Sequence, residues 1–346
     1  FDGSLAWKRE FGQMGVPSLV DIDKNDDFEI VLGASPDFYC HEEDSCYLYA
    51  LDGEDGRDVI GFPKKVDRQI ISAPAVTDVD LNKDGFMEKL VVATGTSYNT
   101  EEQYFEGRIY AFLDGEPLNN WPVRIPWLPG NTPILAELDM AGEVEVIVAG
   151  SDLDKQGDYP PALFAFHLDG SLVQGWPVYT TDCSEGYDIT APLSAGDLDN
   201  DGIPEIAGIT LYGNICIWDA RGQLYHPSID LVDTDASELG YNRKSGLIMA
   251  DLNEDGQKEI LVSISVLTAE TRNLTWVYLF VLDNQLQVLD RLLLDNQTYV
   301  YFSTVADLDP NDGVINILLG TSDEPASGDG SSRNDNLYVW DVNYSS

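Results

Sequence analysis

Residues 192–209 read PLSAGDLDNDGIPEIAGI, in which an acidic, glycine-containing loop stands between two apolar segments. Similar segments recur at five further places. They begin at Pro17, Pro74, Pro133, Gly246 and Ser303. When the first acidic loop residue is taken as an anchor, successive anchors are 59, 57, 60, 54 and 56 residues apart. Such self-similarity at a nearly fixed period is the sequence signature of a repeat architecture.

A second recurring element, for example ALFAFHLDGSLVQGWPV from Ala162, lies between the acidic loops. Alternating apolar and aromatic residues flank an Asp-Gly-type turn, which is typical of a β-hairpin. Each repeat therefore predicts four antiparallel strands, with the acidic loop after the first strand and no helical period. Four-stranded units that repeat radially are the blades of a β-propeller. The sequence predicts an all-β fold, a six-bladed β-propeller formed by one domain, residues 1–346; seven blades are the less favoured alternative.

The two ends of the chain predict how the ring closes. The last segment, residues 336–342, stops where its counterparts reach their turn, while residues 1–11 begin at that turn and continue outward. We expect the N-terminal strand 1–11 to complete the blade that contains residues 303–342. Closure of this kind leaves no open edge between the first and last blades.

Three of the acidic loops share the spacing D-x-[DN]-x-D-G-x-x-E. Their predicted ligands are Asp80, Asn82, Asp84, Phe86 and Glu88; Asp197, Asp199, Asp201, Ile203 and Glu205; and Asp251, Asn253, Asp255, Gln257 and Glu259. Alternating side-chain oxygens, a backbone carbonyl at the seventh position and a final carboxylate can supply the oxygen ligands that Ca²⁺ prefers. Mg²⁺ fits less well because it requires a rigid octahedron. The chain continues into strand residues, so the loop lies in a β-hairpin rather than between two helices.

The other three loops depart from this spacing. The first has Asp21, Asp23, Asn25, Asp27 and Glu29 as predicted ligands, with Asp26 in place of the glycine. Aspartate tolerates left-handed backbone better than most residues, so we expect a site there. The sixth retains Asp307, Asp309 and Asn311 but has no final acid, and the third (Glu137, Asp139, Glu145) has lost a ligand at Ala141. The sequence leaves open whether these two bind metal, and predicts about four to six structural Ca²⁺ ions.

Loops of the form D-x-D-x-D-G-x-x-E that open a strand and recur across whole blades resemble the FG-GAP or VCBS repeats of integrin α-subunit propellers and related microbial surface proteins. The resemblance covers essentially the whole chain. It implies calcium at the three regular loops and, with departures, at the others. It carries no information about the ligand.

The charge balance excludes some classes of partner. With 61 acidic and 19 basic side chains, the formal net charge is −42. A nucleic-acid partner bound through its phosphates is excluded, and binding to an anionic membrane is disfavoured. No apolar stretch is long enough to cross a bilayer, so we expect no membrane insertion.

Cysteines and sequons favour an extracellular or cell-surface location. We expect Cys40 to pair with Cys46 and Cys183 with Cys216, the alternative being four buried or free thiols. Three tripeptides match the N-glycosylation pattern. They begin at Asn273, Asn296 and Asn343.

The variable loops on the face opposite the acidic hairpins are the predicted recognition surface, because loops on a rigid scaffold commonly carry function. Their aromatic candidates are Tyr39, Tyr98, Tyr104, Phe105, Trp127, Tyr159 and Tyr187. We expect a non-enzymatic protein that uses this face to bind a protein or glycan ligand in adhesion or recognition. Two alternatives remain: a subunit that self-associates into a surface filament, and a carbohydrate-active enzyme such as a polysaccharide lyase or hydrolase.

The positions of the three histidines give little support to a catalytic function. His41, His167 and His226 fall in three different repeats, and His167 is expected in a strand among core aromatics. No nucleophile elbow, zincin helix or phosphate-binding glycine loop occurs. We therefore identify no catalytic residue.

Overall fold

A computed structural model of the protein describes most of the chain. The described residues are 5–35, 46–99, 104–125, 128–129, 132–151, 161–183, 189, 192–210, 213–231, 239–240, 246–268, 274–294, 298–308, 314–323 and 335–342. Apart from one 3₁₀ turn at Thr180–Asp182, the regular structure in these ranges consists of β-strands. Within them, no helix has the length and hydrophobicity needed to cross a membrane. The predicted all-β fold is confirmed.

The first three sheets are antiparallel throughout. The first contains β1 (Gln13–Met14), β2 (Ser18–Val20), β3 (Glu29–Ser35), β4 (Cys46–Asp52) and β5 (Lys64–Val66). The second contains β6 (Gln69–Ile70), β7 (Ala75–Val79), β8 (Glu88–Asn99), β9 (Tyr104–Leu113), β10 (Glu116–Pro117) and β11 (Val123–Ile125). The third contains β12 (Leu128–Pro129), β13 (Ile134–Ala136), β14 (Glu145–Ser151), β15 (Ala162–Phe166) and β16 (Val178–Tyr179).

The remaining three sheets repeat the same order. The fourth contains β17 (Ser194–Gly196), β18 (Glu205–Ile209), β19 (Asn214–Trp218) and β20 (Leu224–Asp230). The fifth contains β21 (Leu239–Gly240), β22 (Gly246–Ala250), β23 (Glu259–Thr268), β24 (Leu274–Leu282) and β25 (Val288–Leu294). The sixth contains β26 (Thr298–Ala306), β27 (Asn316–Asp323) and β28 (Asp335–Asp341).

Four strand positions underlie the first five sheets, although four of these sheets contain five or six strands. The extra strands arise because one position, or two positions in the second sheet, is divided into two short segments. In the first sheet β1 and β2 both pair with the same edge of β3, and in the second β10 and β11 both pair with β9. Each sheet is thus an antiparallel meander, as in a propeller blade. The sixth sheet has three strands among the described residues.

Consecutive sheets pack face to face through apolar side chains, and this builds the core of each unit. Contacting side chains of the first and second sheets include Val31, Leu48, Ile70 and Val91; those of the second and third, Leu90, Ile109, Val146 and Phe164. The corresponding sets are Ile209, Ile215, Ile260 and Phe280 for the fourth and fifth sheets, and Leu261, Leu279 and Ile317 for the fifth and sixth. Central strands are buried on both faces of the sheet. This explains why they are almost wholly apolar.

The chain divides into two compact units, Phe1–Tyr179 and Thr180–Ser346, with three sheets in each. In the first unit, residues 5–11 form no strand. Trp7 Nε1 donates to the carbonyl of Gly53 at 2.9 Å, and Arg9 forms a 2.7 Å ion pair with Asp58, so this segment packs on the first sheet. The expected pairing of residues 1–11 with the last sheet, the single ring and the count of six blades stay predictions.

Candidate metal centres

The acidic loops join the first and second strand positions of the sheets, as predicted. We number them loop 1 (21–29), loop 2 (80–88), loop 3 (137–145), loop 4 (197–205), loop 5 (251–259) and loop 6 (307–316). The residue before each loop pairs in register with the last loop residue. These pairs are Val20 with Glu29, Val79 with Glu88, Ala136 with Glu145, Gly196 with Glu205, Ala250 with Glu259 and Ala306 with Asn316. Each of the six loops is therefore closed by an equivalent pair of strand residues in its own sheet.

Loops 1 to 5 turn through left-handed residues at their fourth and sixth positions. The fourth-position residues are Lys24, Lys83, Met140, Asn200 and Glu254, with φ between 58° and 64°. The sixth position is glycine in loops 2 to 5, with φ between 81° and 92°. A Cβ on any of these four glycines would meet nothing within 4 Å, so the backbone angle rather than space accounts for glycine. Asp26 takes the left-handed conformation expected of it, with φ of 71°.

Carboxylates hold these turns by accepting backbone N–H groups. In loop 4, Asp197 Oδ1 accepts from the amide of Asp201 at 3.1 Å, and its Oδ2 accepts from the amide of Gly202 at 2.9 Å. Asp21, Asp80 and Asp251 do the same in loops 1, 2 and 5. The fifth-position side chain then accepts from the seventh residue's amide, as Asp201 does from Ile203 at 2.8 Å. Loops 1, 2, 4 and 5 therefore share one arrangement of oxygen atoms.

The final glutamate of most loops is buried. Glu29, Glu145, Glu205 and Glu259 are between 1% and 4% exposed. In each, Oε2 accepts the backbone N–H of the second loop residue. The donors are Ile22, Leu138, Leu198 and Leu252, at 2.6 to 2.8 Å. These donors are themselves buried apolar residues, which anchor the loops to the core; the sequence analysis did not single them out.

Burial raises the pKa of all four of these glutamates, and neighbouring loop carboxylates raise it further. The effect is greatest at Glu205, whose pKa rises to about 7 although the backbone hydrogen bond from Leu198 opposes the rise. Asp199, Asp201 and Asp197 contribute by repulsion. The ionised form of Glu205 is therefore poorly compensated by the groups around it.

Basic side chains do not provide this compensation. Across the described ranges, no Lys, Arg or His forms an ion pair with a ligand-position side chain of loops 1, 2, 4 or 5. The ligand atoms of Asp21, Asp23 and Glu29, and those of Asp197, Asp199 and Glu205, lie within 4.8 Å of one another. Clustered carboxylates without a cation are costly when buried. Their oxygen-only donor set fits a hard divalent cation such as Ca²⁺.

Loop 6 differs from the others in its final residue. Asn316 takes the place of the glutamate, and its Oδ1 accepts the amide of Leu308 at 2.8 Å. One extra loop residue hid this equivalence in the sequence. Asp307 is exposed, whereas Asp309 and Asn311 lie outside the described residues. The structure therefore gives loop 6 a neutral amide where the other loops have a carboxylate.

A histidine that the sequence analysis placed differently lies beside loop 3. His167 follows β15 rather than lying within it, and its side chain is 34% exposed. Its Nδ1 lies 3.2 Å from Glu145 Oε1 and 4.0 Å from Asp139 Oδ2. The sequence gave no signal for this contact, because His167 stands 22 residues beyond Glu145.

The predicted disulfide between Cys183 and Cys216 is confirmed, with a Cα–Cα distance of 5.8 Å. Cys46 is also disulfide-bonded, but Cys40 lies outside the described residues, so their pairing stays a prediction. The sequon residues Asn273, Asn296 and Asn343 lie outside them as well.

Three residues of the expected recognition surface lie at the tip of one hairpin. Tyr98 pairs in register with Phe105, and Asn99 with Tyr104, where β8 turns into β9. The other candidates, Tyr39, Trp127, Tyr159 and Tyr187, and also His41, lie outside the described residues.

Comparisons with known proteins leave the family open. No protein-family model matches this sequence, and no curated protein is significantly similar to it. Among solved structures, Saccharomyces cerevisiae Sqt1 is similar at 13% identity and a TM-score of 0.46, over 84% of this chain and 66% of that one. BBS1N in complex with ARL6DN is similar at 9% identity and a TM-score of 0.46, over 88% of this chain and 76% of that one.

A quinohemoprotein alcohol dehydrogenase, ADHIIG from Pseudomonas putida HK5, is similar at 12% identity and a TM-score of 0.45, over 84% of this chain and 60% of that one. This chain thus spans less than two thirds of the dehydrogenase and of Sqt1. We draw no functional conclusion from likenesses of this size.

Proposed function

We propose that this protein is a calcium-stabilised extracellular β-propeller of the FG-GAP or VCBS type that serves adhesion or ligand recognition and has no enzymatic activity. One observation carries the proposal. The buried glutamates Glu29 and Glu205 each cluster with two aspartates of their own loop, and the ligand-position side chains of loops 1, 2, 4 and 5 form no ion pair with a basic side chain among the described residues. The disulfide between Cys183 and Cys216 supports an oxidising compartment.

Calcium in these loops would have a structural role. A cation between the carboxylates offsets their mutual repulsion and joins the loop to the first residue of the following strand. Because such an ion binds the folded state only, each site adds about 2.7 kcal/mol at a free concentration of about 100 times Kd.

The test is to strip the full chain of metal and measure calcium binding and thermal unfolding together. We expect about four ions per chain, by isothermal titration and elemental analysis, and a lower Tm without calcium. Mg²⁺ at the same concentration is the matched control and should restore little of the Tm. An unchanged Tm after complete chelation, or equal rescue by Mg²⁺, would contradict the proposal.

A cluster of arginines supports the recognition part of the proposal. In this highly acidic chain, Arg68, Arg108 and Arg124 converge on the carboxylate of Glu106 at 3.5, 2.8 and 3.1 Å. The cluster belongs to the second sheet, and Arg124 is 55% exposed. Asp67 also pairs with Arg68 and Arg108, so three guanidinium groups face two carboxylates. The remaining positive charge, with Arg124 largely exposed, favours an acidic ligand such as a carboxylated or sulfated glycan.

Binding to a panel of acidic and neutral glycans tests this part. We expect Arg124→Gln to weaken binding to an acidic glycan, while Arg291→Gln, on β25, leaves it unchanged. Equal binding by both variants and the unaltered protein would exclude the arginine cluster as the binding site. Turnover of a glycan would favour the enzyme alternative, and concentration-dependent rods in electron micrographs would favour the filament.

A further inference from the structure

His167 occupies a position that carries aspartate in four other sheets, including Asp341, which pairs with Asn316 in the sixth, and glycine (Gly115) in the second. Register places it opposite Glu145, because the neighbouring residues Val146 and Phe166 are paired. The residue opposite the final loop glutamate is Asp52 in the first sheet, where the two pair directly. By the same register it is Asp219 in the fourth sheet and Asp283 in the fifth. The histidine is therefore a replacement confined to the sheet that also lost its fifth loop ligand, at Ala141.

The aspartates at this position have a local task that His167 does not perform. Asp219 Oδ1 accepts the amides of Arg221 and Gln223 at 3.0 and 2.7 Å, and so caps its own turn. Asp52 and Asp283 cap their turns in the same way. In the third sheet Asp169 does this instead, accepting the amide of Ser171 at 2.8 Å. Turn formation therefore does not explain the imidazole, whose Nδ1 is directed at loop 3.

The loop presents two carboxylate oxygens to this nitrogen. Glu145 is 1% exposed, and its Oε2 is held by the amide of Leu138 at 2.6 Å, which leaves Oε1 on the side of His167. Asp139 Oδ1 accepts the amide of Ala141 at 2.9 Å, which leaves Oδ2 on that side as well. The three ligand atoms lie within 4.8 Å of one another. Among the described residues, His167 is the hydrogen-bond partner of Glu145 Oε1.

We propose that loop 3 binds a divalent transition metal of the zinc class through Asp139 Oδ2, Glu145 Oε1 and His167 Nδ1, and that it discriminates against calcium. Zinc accepts imidazole nitrogen together with carboxylate oxygen in a tetrahedron, whereas calcium requires six to eight oxygens. With metal–ligand bonds of about 2.1 Å, adjacent ligands of a tetrahedron are about 3.4 Å apart. The distances of 3.2 and 4.0 Å from Nδ1 bracket that value.

The ligand set also explains the paired substitutions. Ala141 removes an oxygen that calcium uses in loops 2, 4 and 5, and His167 adds a nitrogen that calcium does not use. Three protein ligands leave the fourth tetrahedral position for water. This inference does not depend on calcium binding at the other loops, since none of their predicted ligands is a histidine.

The experiment uses the full chain saturated with calcium, so that oxygen-only sites are filled. Cobalt(II), a spectroscopic substitute for zinc, should add one equivalent with the visible absorption of a four-coordinate nitrogen-containing site, and zinc should displace it. His167→Gln should abolish this absorption and weaken zinc binding at least about 10-fold. The matched control, His226→Gln, changes the partly exposed histidine of β20 and should leave both unchanged.

A designed reversal tests the discrimination. The double variant Ala141→Asp and His167→Asp gives loop 3 the side chains that loop 4 and its sheet have at Asp201 and Asp219. We expect this variant to lose the zinc equivalent and to take up one more calcium than the unaltered protein. If loops 1, 2, 4 and 5 prove not to bind calcium, this prediction still stands, so each proposal can fail without the other.

Two results would overturn the inference. One is the absence of an extra zinc equivalent in the unaltered protein, which would mean that the imidazole itself serves as the cation of loop 3. The other is an equal zinc affinity in His167→Gln. If that variant does not fold, ¹⁵N NMR of the unaltered protein decides, because zinc binding must shift the Nδ1 resonance of His167 and not that of His226.

Discussion

At the scale of single residues, loops 1, 3, 4 and 5 each contain a buried carboxylate among other carboxylates. Glu205 is 4% exposed and is fixed through Oε2 to the amide of Leu198. Its remaining oxygen belongs to a group of ligand atoms shared with Asp197 and Asp199. Without a cation, ionising this glutamate works against folding; with one, the same charge becomes a ligand.

This gives the metal-free protein a defined pH dependence. The folded pKa of Glu205 is about 7, above its ordinary value of 4.5. Because Glu205 binds its proton more tightly in the folded state than in the unfolded state, protonation favours folding. This contribution to stability is fully present below pH 4.5 and is lost as the pH rises through about 7. In chelator, Glu205→Gln should therefore lose less stability than the unaltered protein between pH 4.5 and 8, by urea unfolding. Glu116→Gln, at an exposed site, is the control; identical pH profiles for all three would contradict the assignment.

Asp201→Asn should change stability in opposite directions with and without calcium. In chelator, the variant removes one of the charges that repel Glu205, so its Tm should equal or exceed that of the unaltered protein. In excess calcium it lacks a ligand, so its Tm should fall below. Asp290→Asn, an exposed change of equal charge on β25, should not show this reversal. A lower Tm in both conditions would mean that Asp201 stabilises the turn rather than a metal.

The sequence predicted the position of these loops in the hairpins, because the loop motif is short and local. Asp26 could be assigned a left-handed conformation, because the steric rule concerns one residue at a time. Asn316 was missed because an inserted residue displaced it from the motif. His167 was missed because only the pairing of β14 with β15 brings it beside Glu145, and such register is a property of the folded sheet.

At the scale of strands and hairpins, the repeat predicted the order of elements but not their breaks. Alternating apolar residues and turn dipeptides identify hairpins such as β9–β10, which Asp114 and Gly115 join, since both signals are local. The division of a first-position strand into β1 and β2 leaves no such signal. Gly15, between them, donates its amide to Gly33 at 2.9 Å, while Val16 donates to Ile71 of the following sheet at 3.1 Å. The break thus reflects a contact between sheets.

The arginine cluster makes the second sheet sensitive to one carboxylate. Glu106 is about 5% exposed and pairs with Arg68, Arg108 and Arg124. Glu106→Gln keeps the size of the side chain but removes the buried carboxylate that the three arginines share, and leaves Asp67, whose side chain is 55% exposed, as the remaining carboxylate beside Arg68 and Arg108. We expect a loss of about 3 kcal/mol in the free energy of unfolding, measured in urea.

The control for this change is an exposed ion pair. Lys8 and Glu10 lie 2.6 Å apart, with side chains 67% and 79% exposed. Solvent screens such pairs, so Glu10→Gln should have little effect. Equal effects of Glu10→Gln and Glu106→Gln would show that burial does not strengthen the cluster.

At the scale of the whole molecule, the net charge of −42 opposes compaction. Four calcium ions would reduce it to about −34, and they would do so where the charges are densest. Monovalent salt can replace only part of this effect, because it screens exposed charges but not buried ones.

Salt should therefore act differently on the two states of the protein. Raising NaCl from 0.1 to 1 M shortens the Debye length from about 10 to about 3 Å. We expect this to raise the Tm of the chelated protein more than that of the calcium-loaded protein. A scanning-calorimetry series in both states measures it. Equal salt effects would place the destabilising charges away from the loops.

The sixth loop position has a consequence for chirality. Four loops place glycine there at a φ near 90°, and a Cβ would find open space. An L-residue is disfavoured there only because of its handedness, so a D-amino acid should be accommodated without strain. D-alanine at Gly202, introduced by chemical ligation, would adopt this angle without strain and would restrict the unfolded chain. The loop could then be made more rigid without altering any of its predicted ligand atoms.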